Sequence, residues 1–349
     1  MSNYSAYAVF LDYDPVRGIC WSLAIIGLPC NGIVIFRLLY LNFAHSRLKN
    51  LPRIKQILSF AHRRYTINHN PSIFLLFNLA VCDFIGSLYL LILAGSDIYY
   101  TAYYRHKYGL YPNYSDIENE WIITPTCTTE RIFSQIALLM SILMTFIVAI
   151  DRFILVVYPH SRRKINMKSA RIITAICWIF SLAIAILAGL ESAQSVAKHP
   201  RTRFNIIGQL CLPDPSRSFI VQIITYFEIF LGCSLYIASM ILYIVICRKL
   251  SQSKTLFRST SSGMIEKRVS IILASVVFTN IFTYLPVTLF SILGQVLPSY
   301  DPDEGQLYAS VVALLYLNTA VNPILFLMLS LKTGRNTSKV GQSSDGIRS

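Results

Sequence analysis

The charged pair Asp151 and Arg152 directly follows an uncharged hydrophobic run from Ile132 to Ile150. Charged side chains at a membrane edge are costly, so their presence at the end of such a run indicates a functional site whose partner lies elsewhere in the chain. The same pair could instead be an anchor whose charges reach the lipid headgroups. Taken alone, the stretch favours the anchor.

A further acidic residue, Asp83, lies in the middle of another hydrophobic run. An ionised carboxylate at that depth needs a cation or hydrogen-bond donors, and other hydrophobic runs supply Ser141, Asn318 and Asn322. Together these groups could hold a small cation. A protonated or water-bridged Asp83 that only ties helices together is an equally simple alternative.

The elements that must position these residues are membrane-spanning helices. Of the 349 residues, 54% are hydrophobic and only 14% are charged, whereas charged residues make up about a quarter of a soluble domain. A run of roughly 20 apolar residues can cross the hydrocarbon core, and in lipid its backbone satisfies its polar groups by forming a helix. Such runs begin near Gly18, Pro71, Ile132, Ile172, Ser218, Val269 and Gln306. We therefore expect an all-α membrane protein, a seven-transmembrane helix bundle.

The distribution of Lys and Arg orients this bundle. The loops 46–70, 159–170 and 248–268 and the tail 332–349 hold twenty basic residues and only two acidic ones, Glu266 and Asp345. Because basic loops remain in the cytoplasm, we expect the amino terminus outside. Residues 1–17 are then a short extracellular segment, 18–331 the seven-helix domain and 332–349 a cytoplasmic tail. The net charge of +14 faces anionic membrane lipid, and we expect no nucleic-acid partner.

The segments expected outside carry features of an extracellular environment. Asn3 and Asn113 each begin a glycosylation sequon. Of the eight cysteines, six lie within or at the edges of predicted helices, and none has metal-ligand spacing. The other two, Cys127 and Cys211, lie on the oxidising side, where a disulfide between them is plausible.

Two prolines, Pro286 and Pro323, interrupt the sixth and seventh predicted helices. A proline inside a spanning helix removes a backbone hydrogen bond and bends the helix. A bundle with two bendable helices is suited to being a switch.

The order and spacing of these motifs resemble a rhodopsin-like (class A) G-protein-coupled receptor. The matching residues are Asn31, Leu79-Ala80-Val81-Cys82-Asp83, Cys127, Asp151-Arg152-Phe153, Pro159, Trp178, Cys211, Pro286 and Asn322-Pro323-Ile324-Leu325-Phe326. Ser96-Asp97-Ile98-Tyr99-Tyr100 and Cys211-Leu212-Pro213 are similar to the branch of leucine-rich-repeat receptors for relaxin and glycoprotein hormones. The chain itself contains no leucine-rich repeat.

The resemblance implies roles for these residues. Arg152 would pair with Asp151 and, in the resting state, with Glu266 at the foot of the sixth helix. The G-protein coupling and switch residues would be Asp151, Arg152, Tyr236, Glu266, Tyr284, Pro286, Asn322, Pro323 and Phe326. Asp83, Ser141, Asn318 and Asn322 would form a pocket for an allosteric sodium ion. Cys127 and Cys211 would form the disulfide that holds the second outer loop over the ligand cavity.

Several positions depart from the family pattern and narrow the ligand. Tyr284 replaces the Trp, and Phe326 the Tyr, that the family commonly has. Ser134 stands where amine receptors carry Asp, which disfavours a biogenic amine, and Tyr316 stands where photoreceptors carry the retinal Lys. The candidate ligand-binding residues are Asp97, Glu130, Arg131, Gln135, Glu228 and Tyr284. Glu130 and Arg131 could instead simply pair with each other.

We therefore expect a multi-pass plasma-membrane receptor that binds an extracellular peptide or other polar ligand and activates a heterotrimeric G protein by opening its sixth helix. The main alternative is a transporter or channel that uses Asp83 as an ion site, although no internal repeat of the kind found in transporters is present. We expect no enzymatic activity, because no Ser-His or His-Glu arrangement has catalytic spacing.

Overall fold

The computed structural model describes residues 14–48, 67–68, 70–108, 114–159, 161, 164–198, 210–215, 218–252, 274–280, 282–286, 311 and 314–327. The predicted sequons at Asn3 and Asn113 and the predicted partner Glu266 lie outside these residues. Within them the secondary structure is helical, with no strand. The predicted all-α membrane fold is confirmed.

Five helices are long and apolar enough to cross a membrane. They are α1 Asp14–Leu48, α2 Pro71–Tyr108, α3 Pro125–Val157, α4 Met167–Lys198 and α5 Phe219–Gln252. The described parts of the sixth and seventh predicted helices are α6, residues 274–280 and 282–286, and α7, Leu317–Leu327. A short outer-loop helix, Tyr114–Ile122, lies between α2 and α3.

The helices extend beyond the apolar runs that predicted them. For example, α3 begins at Pro125, seven residues before the run that starts at Ile132, because the Thr124 side chain accepts a hydrogen bond from the Cys127 amide and caps the helix. Proline also favours the first helical turn, where its missing N–H has no partner to lose. Hydropathy finds only the part of a helix that lies in lipid, whereas capping determines where the helix begins.

The central helix of the bundle is α3, which packs against α2, α4 and α5. More than half of its residues are buried, including several polar ones. By contrast, α1, α4 and α5 each keep exposed apolar side chains such as Phe36, Ile179 and Phe230. A helix that is buried on most sides lies inside a bundle, so α3 connects the outer and inner polar residues through the protein.

Small residues bring α1, α2 and α7 close together. A side chain at Gly27 would overlap Ser87, and a Cβ at Gly86 would lie 2.7 Å from Cγ2 of Thr319. This close approach lets the buried Asn31 side chain donate a hydrogen bond to the Thr319 carbonyl at 2.7 Å. Small residues at helix interfaces and interhelical hydrogen bonds are the usual means of association in membranes.

Two glycines of α2 provide a test of this packing. Gly86→Ala places a methyl group against Thr319 and Ala137, and we expect overpacking to lower the free energy of unfolding by about 1–3 kcal/mol. Gly95→Ala is the matched control, because nothing lies within 4 Å of a Cβ there and alanine is the better helix former by about 0.5–1 kcal/mol. Thermal unfolding of the detergent-solubilised protein measures both. Equal melting temperatures for the two variants would contradict the close approach.

Candidate functional site

The Asp151–Arg152 pair lies inside the protein at the inner end of α3. Both side chains are buried, and Arg152 Nη2 lies 3.6 Å from Asp151 Oδ2. The Ser72 hydroxyl of α2 donates a hydrogen bond to the same oxygen at 2.6 Å. A snorkelling anchor would extend its charge away from the protein, so this arrangement favours the functional interpretation of the pair over the anchor.

Two tyrosines of α5 lie at different depths near predicted switch residues of other helices. Tyr236, which the sequence analysis selected, packs against Tyr284 of α6, with ring centroids 4.9 Å apart. Tyr243, which the motifs of the sequence did not single out, is buried and interacts electrostatically with Arg152 and Asp151. The two tyrosines are separated by seven residues, about two helical turns, and therefore share one face of α5. This seven-residue spacing is the feature of the sequence that could have indicated Tyr243.

Asp83 is buried in the bundle, where it contacts an amide of α7. Asn322 donates a hydrogen bond to Asp83 Oδ2 at 2.8 Å, and Asn318 donates to Thr283 of α6 at 3.1 Å. The side-chain carbonyl oxygens of both asparagines are buried without a hydrogen-bond partner among the described residues, and Ser141 is buried as well. Since small hard cations prefer oxygen ligands, this donor set fits a sodium ion.

A second contact that the sequence analysis missed ties α6 to α3. The Asn280 side chain donates a hydrogen bond to Thr145 Oγ1 at 2.9 Å, and both residues are buried. A polar amide in an otherwise apolar run signals such a contact, but it does not identify the partner. With the bond between Asn318 and Thr283, α6 is therefore held to both α3 and α7 by side-chain hydrogen bonds.

The outer end of the bundle is closed by the predicted disulfide between Cys127 and Cys211. It attaches the segment before α5 to the first turn of α3. Tyr89 of α2 adds to this closure by donating a hydrogen bond to the Leu210 carbonyl at 2.7 Å.

Glu130 and Arg131 are buried at this outer end and form hydrogen bonds there. Arg131 is 1% exposed, and its guanidinium donates to the carbonyls of Gly189 and Ile122 at 3.4 Å and to the Cys127 sulfur at 3.5 Å. Glu130 accepts a hydrogen bond from Ser96 at 2.9 Å. The ion pairs within 4 Å found among the described residues do not include one between Glu130 and Arg131, but the two charges attract each other electrostatically. The alternative that these two residues pair with each other therefore stays a prediction, and each of them also binds other groups.

The remaining ligand candidates are at two different heights. Asp97 of α2 forms an ion pair with Arg17 of α1 at 2.7 Å near the outer surface. Gln135 of α3 donates to the Glu228 carboxylate of α5 at 3.1 Å, deeper in the bundle. Both Gln135 and Glu228 are buried, so they form one polar contact between α3 and α5.

An aromatic cluster joins the outer extension of α2 to the outer-loop helix. Its centre is Tyr100, whose ring centroid lies 4.7 Å from that of Trp121. Nearby, Lys107 pairs with Glu120 at 2.7 Å, and the Tyr108 hydroxyl donates to Glu120 at 2.6 Å. Burial raises the pKa of the Glu120 carboxyl, but these two hydrogen bonds outweigh it and hold the pKa below its ordinary value. The carboxylate therefore remains charged and keeps the two segments together.

The sequence model described as "7 transmembrane receptor (rhodopsin family)" matches residues 57–326, which is more than half of the chain. The chain belongs to this family. It is a multi-pass protein of the plasma membrane, and its helical bundle, the disulfide and the buried Asp151–Arg152 pair are features of a rhodopsin-like receptor.

Three relatives show which branch of the rhodopsin family this chain resembles. The follicle-stimulating hormone receptor of Notamacropus eugenii is 25% identical over 72% of this chain and 33% of its own length. The G-protein coupled receptor GRL101 of Lymnaea stagnalis is 24% identical over 72% of this chain and 21% of its own length. The thyrotropin receptor of Mus musculus is 27% identical over 54% of this chain and 20% of its own length. The predicted relation to the hormone-receptor branch is confirmed, and the chain spans about a third or less of these relatives.

The structure predicts that Arg131 stabilises the receptor in the absence of ligand. Arg131→Lys keeps the charge but removes the planar group that reaches several acceptors at once, so we expect the free energy of unfolding to fall by about 1–3 kcal/mol. Thermal unfolding of the ligand-free protein measures the change. Arg17→Lys is the control, since Arg17 is partly exposed and such pairs contribute about 1 kcal/mol or less. Unchanged stability of Arg131→Lys would favour a ligand contact instead.

Proposed function

We propose that this receptor binds an extracellular peptide or other polar ligand and activates a heterotrimeric G protein by outward movement of α6. The observation that carries the proposal is the buried Asp151–Arg152 pair at the inner end of α3, in a chain of the rhodopsin family. The three relatives reported above, which are named as G-protein coupled or hormone receptors, support it.

The resting state is maintained by contacts that α6 must break. Asn280 binds Thr145 of α3, and Thr283 accepts a hydrogen bond from Asn318 of α7. Pro286 lies in the described outer part of α6 and removes one backbone hydrogen bond there. The inner half of α6 can then swing about this point once the side-chain bonds are lost.

Arg152 is positioned to be released at the inner end. Asp151 holds it at 3.6 Å while sharing its Oδ2 atom with Ser72, and within the part of the chain that the structure describes Arg152 Nε has no hydrogen-bond partner. A guanidinium with an open donor can change partners when α6 moves, and Tyr243 of α5 is within range. The released side chain then faces the cavity that receives the G protein.

The ligand enters from the outer side and reaches the contact between Gln135 and Glu228. A buried carboxylate with one neutral amide donor is poorly compensated in a medium without water. A polar or cationic group of the ligand supplies the missing partner. Tyr284 lies below this contact, against Tyr236, and transmits the displacement of the ligand site to α6.

The inner pair provides the decisive test. Arg152→Ala should abolish agonist-stimulated nucleotide exchange on the G protein, because no other group replaces the guanidinium at the end of α3. Glu266→Ala should raise exchange in the absence of agonist by removing the resting partner that the family resemblance assigns. Both are measured with the full chain reconstituted with G protein in nanodiscs. Lys164→Ala, an exposed basic residue on the same side, is the control. Full activity of Arg152→Ala would refute the proposal, and unchanged basal exchange in Glu266→Ala would refute only the resting lock.

We further propose that Asp83, Ser141, Asn318 and Asn322 hold a sodium ion in the resting receptor. The contact of Asn322 with the Asp83 carboxylate, and the buried side-chain oxygens of Asn318 and Asn322 that have no hydrogen-bond partner among the described residues, support this assignment. A bound sodium ion neutralises the carboxylate and links α2, α3 and α7. Loss of the ion would loosen these helices together with α6.

Sodium should therefore raise the thermal stability of the ligand-free receptor, since an ion that binds only the folded state stabilises it in proportion to RT ln(1 + [Na⁺]/Kd). We expect a higher melting temperature in sodium chloride than in the same concentration of choline chloride. Asp83→Asn should remove the difference, whereas Glu228→Gln, at another buried carboxylate, should keep it. A sodium effect that survives in Asp83→Asn would exclude this site.

A further inference from the structure

The buried acidic residues near the outer end of the bundle differ in their charge partners. Asp97 forms an ion pair with Arg17 at 2.7 Å. Glu130 and Asp214 both attract Arg131 electrostatically. Because a buried carboxylate is stable only beside a compensating charge or several hydrogen-bond donors, each of these three acidic residues relies on an arginine of the receptor itself.

Glu228 of α5 is the exception. Its carboxylate is buried and accepts hydrogen bonds from the Gln135 amide, at 3.1 Å for Oε2 and 3.4 Å for Oε1. Among the residues that the structure describes, no basic side chain forms an ion pair with Glu228 or attracts it electrostatically. One neutral amide compensates a buried negative charge poorly. A positive charge that the described chain does not supply would complete this site.

The contact between Gln135 and Glu228 lies well below the outer ends of the two helices. Gln135 follows Pro125, the first residue of α3, by ten residues, and Glu228 follows Phe219, the first residue of α5, by nine. At 1.5 Å per residue both side chains are about 14 Å inside their helices, which is about half the thickness of the hydrocarbon core. A small molecule reaches this depth, and so does a long side chain or a chain end of a larger ligand.

Tyrosines of other helices lie around this contact. Tyr316 of α7 interacts electrostatically with Glu228 and with Tyr284 of α6. The Tyr316 hydroxyl donates to the Ser134 carbonyl at 3.4 Å, and its ring centroid lies 4.9 Å from that of Tyr89. Aromatic rings attract organic cations through their faces, whereas a metal ion such as sodium prefers several oxygen ligands. These side chains therefore suit an ammonium or guanidinium group better than a metal ion.

We infer that the ligand of this receptor is basic and places a protonated amine or guanidinium group against the Glu228 carboxylate, beside Tyr316. The inference rests on the entry of the ligand at the contact between Gln135 and Glu228, which is proposed above, and it adds the sign of the ligand's charge. Ser134 supplies no charge at the position of α3 where amine receptors carry Asp, so the counter-ion for the ligand comes from α5 instead.

A purely structural contact between α3 and α5 explains less. A neutral pair is sufficient to join two helices, as the hydrogen bond from Asn280 to Thr145 does for α6 and α3. A carboxylate at the same depth adds a desolvation cost that such a bond does not require. The binding of a cation accounts for the carboxylate, because the hydrogen bond between two charged groups is roughly twice as strong as a neutral one.

The experiment compares three probes that share a phenyl ring and differ in charge: benzylamine, benzamide and benzoate. Apparent dissociation constants are obtained from the melting temperature of the purified full chain in detergent, at increasing probe concentration and constant sodium chloride. We expect benzylamine to bind about tenfold more tightly than benzamide, because its hydrogen bond to the carboxylate is charge-assisted. Benzoate should bind most weakly, since its charge repels that of Glu228.

Three variants locate the charge that selects the probe. Glu228→Gln keeps the shape of the side chain and should remove the preference for benzylamine. The double variant Gln135→Glu with Glu228→Gln exchanges the two side chains and should restore the preference, because the carboxylate then enters the same contact from α3. Glu191→Gln is the matched control, since Glu191 of α4 is a partly buried carboxylate that accepts a hydrogen bond from Ser218 at 3.0 Å. It should bind the probes as the unmodified chain does.

Equal affinity of the unmodified chain for the three probes would overturn the inference. A preference for benzylamine that persists in Glu228→Gln, or that stays absent from the exchanged pair, would overturn it as well. These outcomes are separate from a failure of the proposed G-protein activation, because probe binding requires no coupling. Arg152→Ala should keep the preference for benzylamine although it loses nucleotide exchange.

Discussion

Polar side chains inside the bundle have no bulk water to hydrate them, and many of them take a hydrogen bond from another helix or from their own backbone. Asp83 takes a donor from Asn322, Asp151 from Ser72, and Asn31 reaches the Thr319 carbonyl. Each pair fixes the rotation and height of two helices relative to each other. The reason is that leaving a buried polar group without a hydrogen bond costs roughly 2–7 kcal/mol. Close contact at Gly27 and Gly86 makes the short distances attainable.

The two ends of the bundle use this constraint differently. At the outer end a disulfide, the buried guanidinium of Arg131 and the aromatic cluster around Tyr100 join several segments. Breaking any one bond leaves the others in place. Among the described residues, Arg152 Nε and the Tyr243 hydroxyl at the inner end have no hydrogen-bond partner, and neither do Arg131 Nε and the Tyr104 hydroxyl at the outer end. What distinguishes the outer end is its covalent cross-link, whereas the described contacts at the inner end include the Asp151–Arg152 pair and the Ser72 hydrogen bond.

Between these ends lies a layer in which α6 is held by amide and hydroxyl groups. The bonds from Asn280 to Thr145 and from Asn318 to Thr283 are individually weak in membranes, about 0.6 kcal/mol on average. Weak bonds of this kind suit a switch, since the free energy of ligand binding is sufficient to exchange them for others. Asp83 is joined by a hydrogen bond to Asn322 of α7, the same helix that is joined to α6 through Asn318.

The sequence by itself determined the class of the molecule, because each of the deciding features is local. Apolar runs of spanning length, basic loops and two cysteines on the outer side require no knowledge of packing. It also indicated the contact between Asp83 and Asn322 and the charged pair Asp151 and Arg152. Only the tertiary structure showed that Tyr243 interacts electrostatically with Arg152, that Arg131 binds backbone carbonyls and that Asn280 reaches Thr145. These contacts depend on how each helix is rotated about its axis against its neighbours. In a chain whose lipid-facing and buried sides are both apolar, hydropathy does not encode that rotation.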